Sequence, residues 1–437
     1  MLSRTLLLVV WFPAVVCAQQ LTPVDRQLVA AGVWSESRYN YAYWDAVRVD
    51  WDSAFATVVT ETTGRTVSDV QYFRRIRRFV ALLADPQAEL EPPPALAARV
   101  ARPPLALRSI ERRPFIIDYA PNDEMRIARP QRLAEILAIQ GVPAEQWIRD
   151  SILPEIPGAT DASRWERAVA RMLEGEKGTA LHLLLRLPGG EQRGASVTRS
   201  VPLAARWPLE PPPLDVDTLP GGAIWVRISS LGDAGVVQAF DRALGDAPRT
   251  SGIVLDLREA SGGGTGGGRE NGYAILARLI ERPVLTSRWR TPQYRPAYRG
   301  PDAPDSNGAW LAAPSDTIRP RQGGGRTRFA GPVAILSSPR TAGAAEDLLV
   351  AFRNGSRGPI IGETSAGSTG QTLLLPLRRG WQLRVTVTRD AFPDGTEFAR
   401  TGVAPEVPVT VRVDDVLAGR DVALDRAREY LKTAPRR

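Results

Sequence analysis

Residues Thr341-Ala342-Gly343-Ala344-Ala345-Glu346-Asp347 have the surroundings of a catalytic nucleophile but lack its side chain. The apolar run Pro332-Val333-Ala334-Ile335-Leu336 before them reads as a buried strand, and Ala344 to Phe352 reads as a helix. Many hydrolases place a nucleophile at such a strand–turn–helix junction, where the side chain projects and free helix N–H groups can meet an oxyanion. Here the turn carries Gly343, which has nothing to attack with. Ser337, Ser338, Thr341 and Ser368 are the hydroxyls that could stand in as displaced nucleophiles, but none has an evident base beside it in sequence.

Potential bases are scarce throughout. The chain of 437 residues has one histidine (His182), one cysteine (Cys17) and two lysines (Lys177 and Lys432). His182 lies in Thr179 to Leu187, where Leu181, Leu183, Leu185 and Leu187 alternate with other residues, so it reads as the outer face of a strand. Cys17 falls in a leader-like segment, which leaves the rest of the chain without a disulfide or a thiol nucleophile. Carboxylates are nearly the only bases, and a transition-metal site would lack nitrogen and sulfur ligands. No metal and no cofactor is expected. Unrelated carboxylate chemistry through Glu346, Asp347 or Glu363 would need two of these groups to converge in a pocket.

Met1 to Ala18 reads as a secretory signal, with Arg4 as the basic end, Leu6 to Val16 as the apolar core and Val16-Cys17-Ala18 as the cleavage site. A retained anchor is the alternative, and the apolar run is short for a span. The expected location is periplasmic or extracellular, with membrane contact only through this signal. The net charge of +8 comes from scattered arginines rather than basic runs, so nucleic acid is not an expected partner. A content of 43% hydrophobic and 24% charged residues is that of a globular chain, long enough for two or three domains.

These residues must be positioned by three regions. Residues 21–100 read as helical, with helices over Val24–Tyr39, Trp51–Thr60 and Thr66–Leu83, the third capped by Ser68. Pro92-Pro93-Pro94 and Pro103-Pro104 mark a linker. Residues 112–207 read as a small mixed module: a strand at Ile136–Ile139, helices at Ala144–Ile152 and Ser163–Leu173, and two strands flanking Pro188-Gly189-Gly190. Residues 214–432 alternate strands and helices, which implies an α/β domain with a largely parallel sheet. Its glycine run, Gly262-Gly263-Gly264 and Gly266-Gly267-Gly268, follows a strand end, where ligands sit in such sheets. The run lacks the Gly-Lys-Ser/Thr ending and the dinucleotide spacing of phosphate loops; a plain flexible loop is the other reading.

Several segments together resemble the carboxyl-terminal processing, or tail-specific, serine proteases, in their bacterial, tricorn-core-like branch. Ile253-Val254-Leu255-Asp256-Leu257-Arg258 with the glycine run, Gly362-Glu363-Thr364-Ser365-Ala366-Gly367, Arg389 to Gly395, and Gly402 to Val407 are similar to the family's signature segments in order. Ala134 to Gly141 resembles a strand of the PDZ-like module that precedes the catalytic domain in this family. The resemblance implies a ClpP/crotonase-like α/β core, a PDZ-like module, and peptide or protein substrates. It also implies that Gly343 occupies the position of the nucleophilic serine. Gln87, in Asp85-Pro86-Gln87-Ala88, occupies that of the basic histidine, and Ser368 lies near the lysine of the other branch. Glycine cannot form an acyl-enzyme, and an amide cannot take a proton at neutral pH. Glu397 is the candidate for the orienting acid, and Gly262, Gly263, Gly264 and the Ala344 N–H for an oxyanion or carboxylate frame. The expectation is an exported protein of this fold, catalytically impaired, that binds peptides or chain termini. The alternative is a serine-type peptidase with a rearranged site.

Overall fold

The computed structural model describes residues 20–434 apart from 64–66, 122–128, 206, 209–210, 248–249, 261–266, 295–307 and 322–327. The signal-like segment 1–18 and the glycines Gly262, Gly263 and Gly264 therefore lie outside the described residues.

The N-terminal region contains helices Pro23–Asn40, Trp51–Thr63 and Asp69–Ala81. The first and third open with reciprocal capping boxes, Thr22 with Asp25 and Ser68 with Gln71, which satisfy amides that a helix leaves bare at its start. Their apolar faces bury Val29, Val33, Trp51, Tyr72, Phe73, Ile76 and Phe79. The same core contains Trp381, Leu383 and Val385, from a hairpin near the other end of the chain. Strand Glu89–Glu91 pairs with Gln382–Thr386, which pairs in turn with Thr372–Pro376. The helical region is thus completed by a segment that the local pattern assigns to the α/β domain.

Residues 105–198 form an antiparallel sheet in the order Leu105–Ile110, Arg113–Tyr119, Glu135–Ile139, Ala180–Arg186, Gln192–Thr198. Burial alternates strictly along Ala180–Arg186: Leu181, Leu183 and Leu185 face the module's core and His182 is exposed, as the leucine periodicity requires. Helix Asp161–Arg171 closes that core with Trp165 and Val169. The helix expected over Ala144–Ile152 divides into an α-turn, Ala144–Trp147, and a wider π-turn, Ile148–Ile152. The π-turn still buries Ile148 and Ile152.

The third region is a six-stranded sheet in the order Leu214–Thr218, Ile224–Ile228, Ile253–Asp256, Val333–Ser337, Ile360–Gly362, Val407–Pro408. Only the first pair is antiparallel. Residues alternate between two cores. Ile253, Leu255, Val333 and Ile335 meet helices Val236–Asp246, Gly268–Leu276 and Ala344–Asn354 through Phe240, Ile275, Leu348 and Phe352. Val254, Ala334 and Leu336 meet helix Val422–Thr433 through Ala423, Leu424 and Ala427. Helices on both faces explain why these strands read as continuous apolar runs. Helix Gly268–Leu276 starts where Gly267 turns the chain with a φ of 76°.

Candidate active site

The strand Val333–Ser337 runs into a turn pinned at every step. Thr341 accepts from the Ser338 N–H and donates its hydroxyl to the Leu257 carbonyl (2.8 Å). The Ala342 N–H donates to Ala260, and the Gly343 N–H donates to the Ser368 carbonyl at 2.6 Å. Gly343 then opens helix Ala344–Asn354 with φ 63° and ψ −131°. A side chain at that φ/ψ is strained, which is the backbone geometry of a sharp strand-to-helix turn that exposes a nucleophile. The first helix amides, that of Ala344 among them, have no carbonyl within the helix to meet.

The loop facing Gly343, Ser365 to Gly370, is held by carboxylates. Glu346 is fully buried and accepts from the Ser365 hydroxyl, the Gly367 N–H (2.8 Å) and the Ser368 N–H (2.7 Å). Burial pushes its carboxyl up to about 7, against the pull of those three hydrogen bonds. Asp390 accepts from Thr369 (3.1 Å) and from Arg269 (2.6 Å). Arg269 also donates to Asp347, which accepts from Ser287 as well. Burial, and then the neighbouring charge of Asp347, raise the Asp390 carboxyl.

Gln87 also holds this loop. Its amide donates to the carbonyls of Thr369 and Gly370, each at 2.9 Å. The segment that carries it is fixed by Asp85, which is buried and accepts from the Gln87 N–H and from both the N–H and hydroxyl of Thr386. Burial raises the Asp85 carboxyl despite these bonds. Gly343 and Gln87, remote in sequence, therefore hold consecutive carbonyls of one loop.

Glu397 is turned elsewhere. Arg389 grips both of its oxygens (3.0 and 3.1 Å) and Arg290 adds a third contact (2.9 Å). The hydroxyls that could act as displaced nucleophiles are committed to carbonyls: Ser337 to Glu363, Ser338 to Arg258 and Thr341 to Leu257. Ser368 sits in the clamped loop, 8% exposed. Ser365 is hydrogen-bonded to a carboxylate with a raised pKa, but it is 1% exposed and also accepts from the Val403 N–H, so no substrate can reach it. Glu346 and Asp347 point to different partners, and Glu363 lines a separate cleft. No two of these three converge. That cleft, about 910 Å³, lies at the carboxyl ends of the parallel strands, between Arg108, Trp165 and Glu166 of the module and Arg258, Glu259 and Arg340 of the α/β domain. Among the described residues no group of His, Cys, Asp or Glu is arranged to hold a metal.

Sequence reasoning missed the parts played by Arg269, Asp390 and Asp85. The only available signal was the acidic residue inside otherwise apolar or threonine-rich segments, as at Thr388-Arg389-Asp390.

Residues 224–409 match Peptidase family S41. The match spans most of the six-stranded sheet and the Gly343 turn, less than half of the chain. The chain is similar to carboxyl-terminal-processing peptidase 2, chloroplastic, of Arabidopsis thaliana, with 26% identity over 294 residues. That alignment covers 64% of this chain and 50% of the relative, so the chain matches about half the length of that curated protein. Among solved structures, mature CPAF has a TM-score of 0.69 at 15% identity, covering 94% of this chain and 96% of CPAF. Mature CPAF complexed with lactacystin has a TM-score of 0.69 at 14% identity, covering 94% and 97%. At such identities the likeness is one of fold, and it extends beyond the matched segment to nearly the whole chain. Among the described residues no helix is long and apolar enough to cross a membrane.

Proposed function

We propose that this chain is an exported S41 protein whose peptidase chemistry is lost and whose site around Gly343 holds peptides or chain termini. The observation that carries this reading is Gly343: a turn and helix start shaped for a nucleophile, with no side chain at the apex. Gln87 supports it. Its side chain is a donor engaged with two carbonyls, and an amide takes no proton at neutral pH. Nothing then generates an alkoxide, and no acyl-enzyme forms. What remains is a frame: helix amides at Ala344 and a loop clamped by Glu346. Such a frame stabilises a negative oxygen without covalent chemistry and leaves at most a small residual acceleration over water. The antiparallel module, with its resemblance to a PDZ-like fold, supports the binding of chain termini, and the ClpP/crotonase-like core follows from the same resemblance.

Restoration tests the reading. Gly343→Ser combined with Gln87→His is expected to acquire measurable cleavage of an unfolded protein substrate, and the purified native chain to show none. Covalent labelling of the native chain by a fluorophosphonate at one serine or threonine, with cleavage abolished by substituting that residue, would refute it in favour of a rearranged active peptidase.

A further inference from the structure

The hairpin that follows the clamped loop has an open edge. Thr372–Pro376 is the outer strand of its sheet, with Gln382–Thr386 on one side and no strand on the other among the described residues. Gln371 and Leu377 bond inward, accepting from Val387 (2.8 Å) and donating to Trp381 (2.7 Å). Hydrogen-bonded pairs alternate in an antiparallel ladder, so Leu373 and Leu375 also bond inward. The N–H and C=O groups of Thr372 and Leu374 therefore face outward, and no hydrogen bond engages them among the described residues. Leu373 and Leu374, on opposite faces, are each 41% exposed. Exposed apolar edges are usually blunted by charge or proline; here Pro376 blunts only the end.

We propose that this edge binds an extended peptide by strand addition, main chain to main chain, at Thr372 and Leu374. The proposal rests on the reading that the chain holds peptides, and it names how. Position argues for the occupant. The strand begins two residues after Gly370, whose carbonyl Gln87 holds, and close to Ser368, whose carbonyl Gly343 holds. A strand laid at the usual spacing of about 4.8 Å lies beside the strand that continues directly from the loop held by Gly343 and Gln87. Size argues against a second copy of the chain: four outward backbone groups suit a short peptide, whereas a stable protein pair buries about 800 Å² per partner. Recognition through backbone groups tolerates many sequences, and the leucines favour apolar side chains on either side of the ladder.

The probe is a short fluorescein-labelled peptide of alternating valine and threonine between lysine ends, titrated against the full chain by fluorescence anisotropy. Leu374→Pro removes an N–H that bonds to nothing within the hairpin, in the register where Pro376 already stands. It is expected to weaken binding about tenfold or more, whereas Leu374→Ala should leave it within about twofold. Peptides N-methylated at alternate nitrogens test the same contact with the chain unaltered, which covers a Leu374→Pro chain that fails to fold. One register of methylation should weaken binding as strongly, and the other should not. Binding that ignores Leu374→Pro and both registers overturns the edge site while the peptide-binding reading stands. No binding by the native chain overturns both. A solution dimer that Leu374→Pro dissociates gives the edge to a second copy and also overturns the proposal.

Discussion

Replacing Gly343 by alanine isolates the backbone cost of the turn. At φ 63° and ψ −131°, Gly343 occupies a region that residues with a Cβ enter only under strain, at about 1–3 kcal/mol. Alanine also restricts the unfolded chain, which returns about 0.4–1 kcal/mol. The expected net loss is about 0.5–2 kcal/mol. Gly245 is the internal control. It lies in the last turn of helix Val236–Asp246, and a Cβ built on it meets nothing within 4 Å. Gly245→Ala should gain about 0.5–1 kcal/mol, because alanine is the better helix former. The same chemical change should thus move stability in opposite directions, and the difference of about 1–3 kcal/mol is the strain itself. Urea unfolding followed by tryptophan fluorescence reads both variants. If Gly343→Ala stabilises as Gly245→Ala does, the turn carries no strain and the nucleophile-turn reading of its geometry fails. Gly343→Ser carries the same penalty, so a restored nucleophile should come with a measurable loss of stability.

Glu346 gives a pH signature. Its folded pKa of about 7 lies above the ordinary 4.5, so the fold favours the protonated acid. The stability it contributes is complete below about pH 4.5 and declines as pH rises to about 7. The native chain should lose about 2–3 kcal/mol between about pH 5 and about pH 8 through this group, a slope that Glu346→Gln removes; parallel urea curves for the two chains at both pH values would count against it. Trp381→Ala removes the largest fully buried side chain shared by the N-terminal helices and the 372–386 hairpin. It should cost about 3–5 kcal/mol, with amide exchange rising in helices Pro23–Asn40 and Asp69–Ala81 before helix Ala344–Asn354; equal rises in all three would show a single cooperative unit.

Much of the fold was legible because its signals are local. The leucine alternation in Ala180–Arg186, the Ser68 cap and the strand–helix alternation after residue 214 are patterns of period and capping, and each is realised. The placement of the hairpin 372–386 was not legible. Its strands read as any strands do, and only burial of Trp381, Leu383 and Val385 assigns them to helices hundreds of residues earlier. Glu346 shows the same limit at the site. Its helix position is plain in sequence, yet whether it would serve as a base, a surface charge or a clamp depends on the Gly367 and Ser368 amides reaching it.

By itself the sequence determined what this protein lacks: a side chain at Gly343, an ionisable base at Gln87, and nearly all histidine, lysine and cysteine elsewhere. Those are facts of composition and position, and no folding can supply a missing functional group. Only the tertiary structure decided what the remaining groups do. It brought Gly343 and Gln87 onto one loop, turned Glu397 toward Arg290 and Arg389, and left the Thr372–Leu374 edge open. The physical reason is that hydrogen bonds and burial act between atoms that meet in space, and most of these partners meet only after the chain has folded.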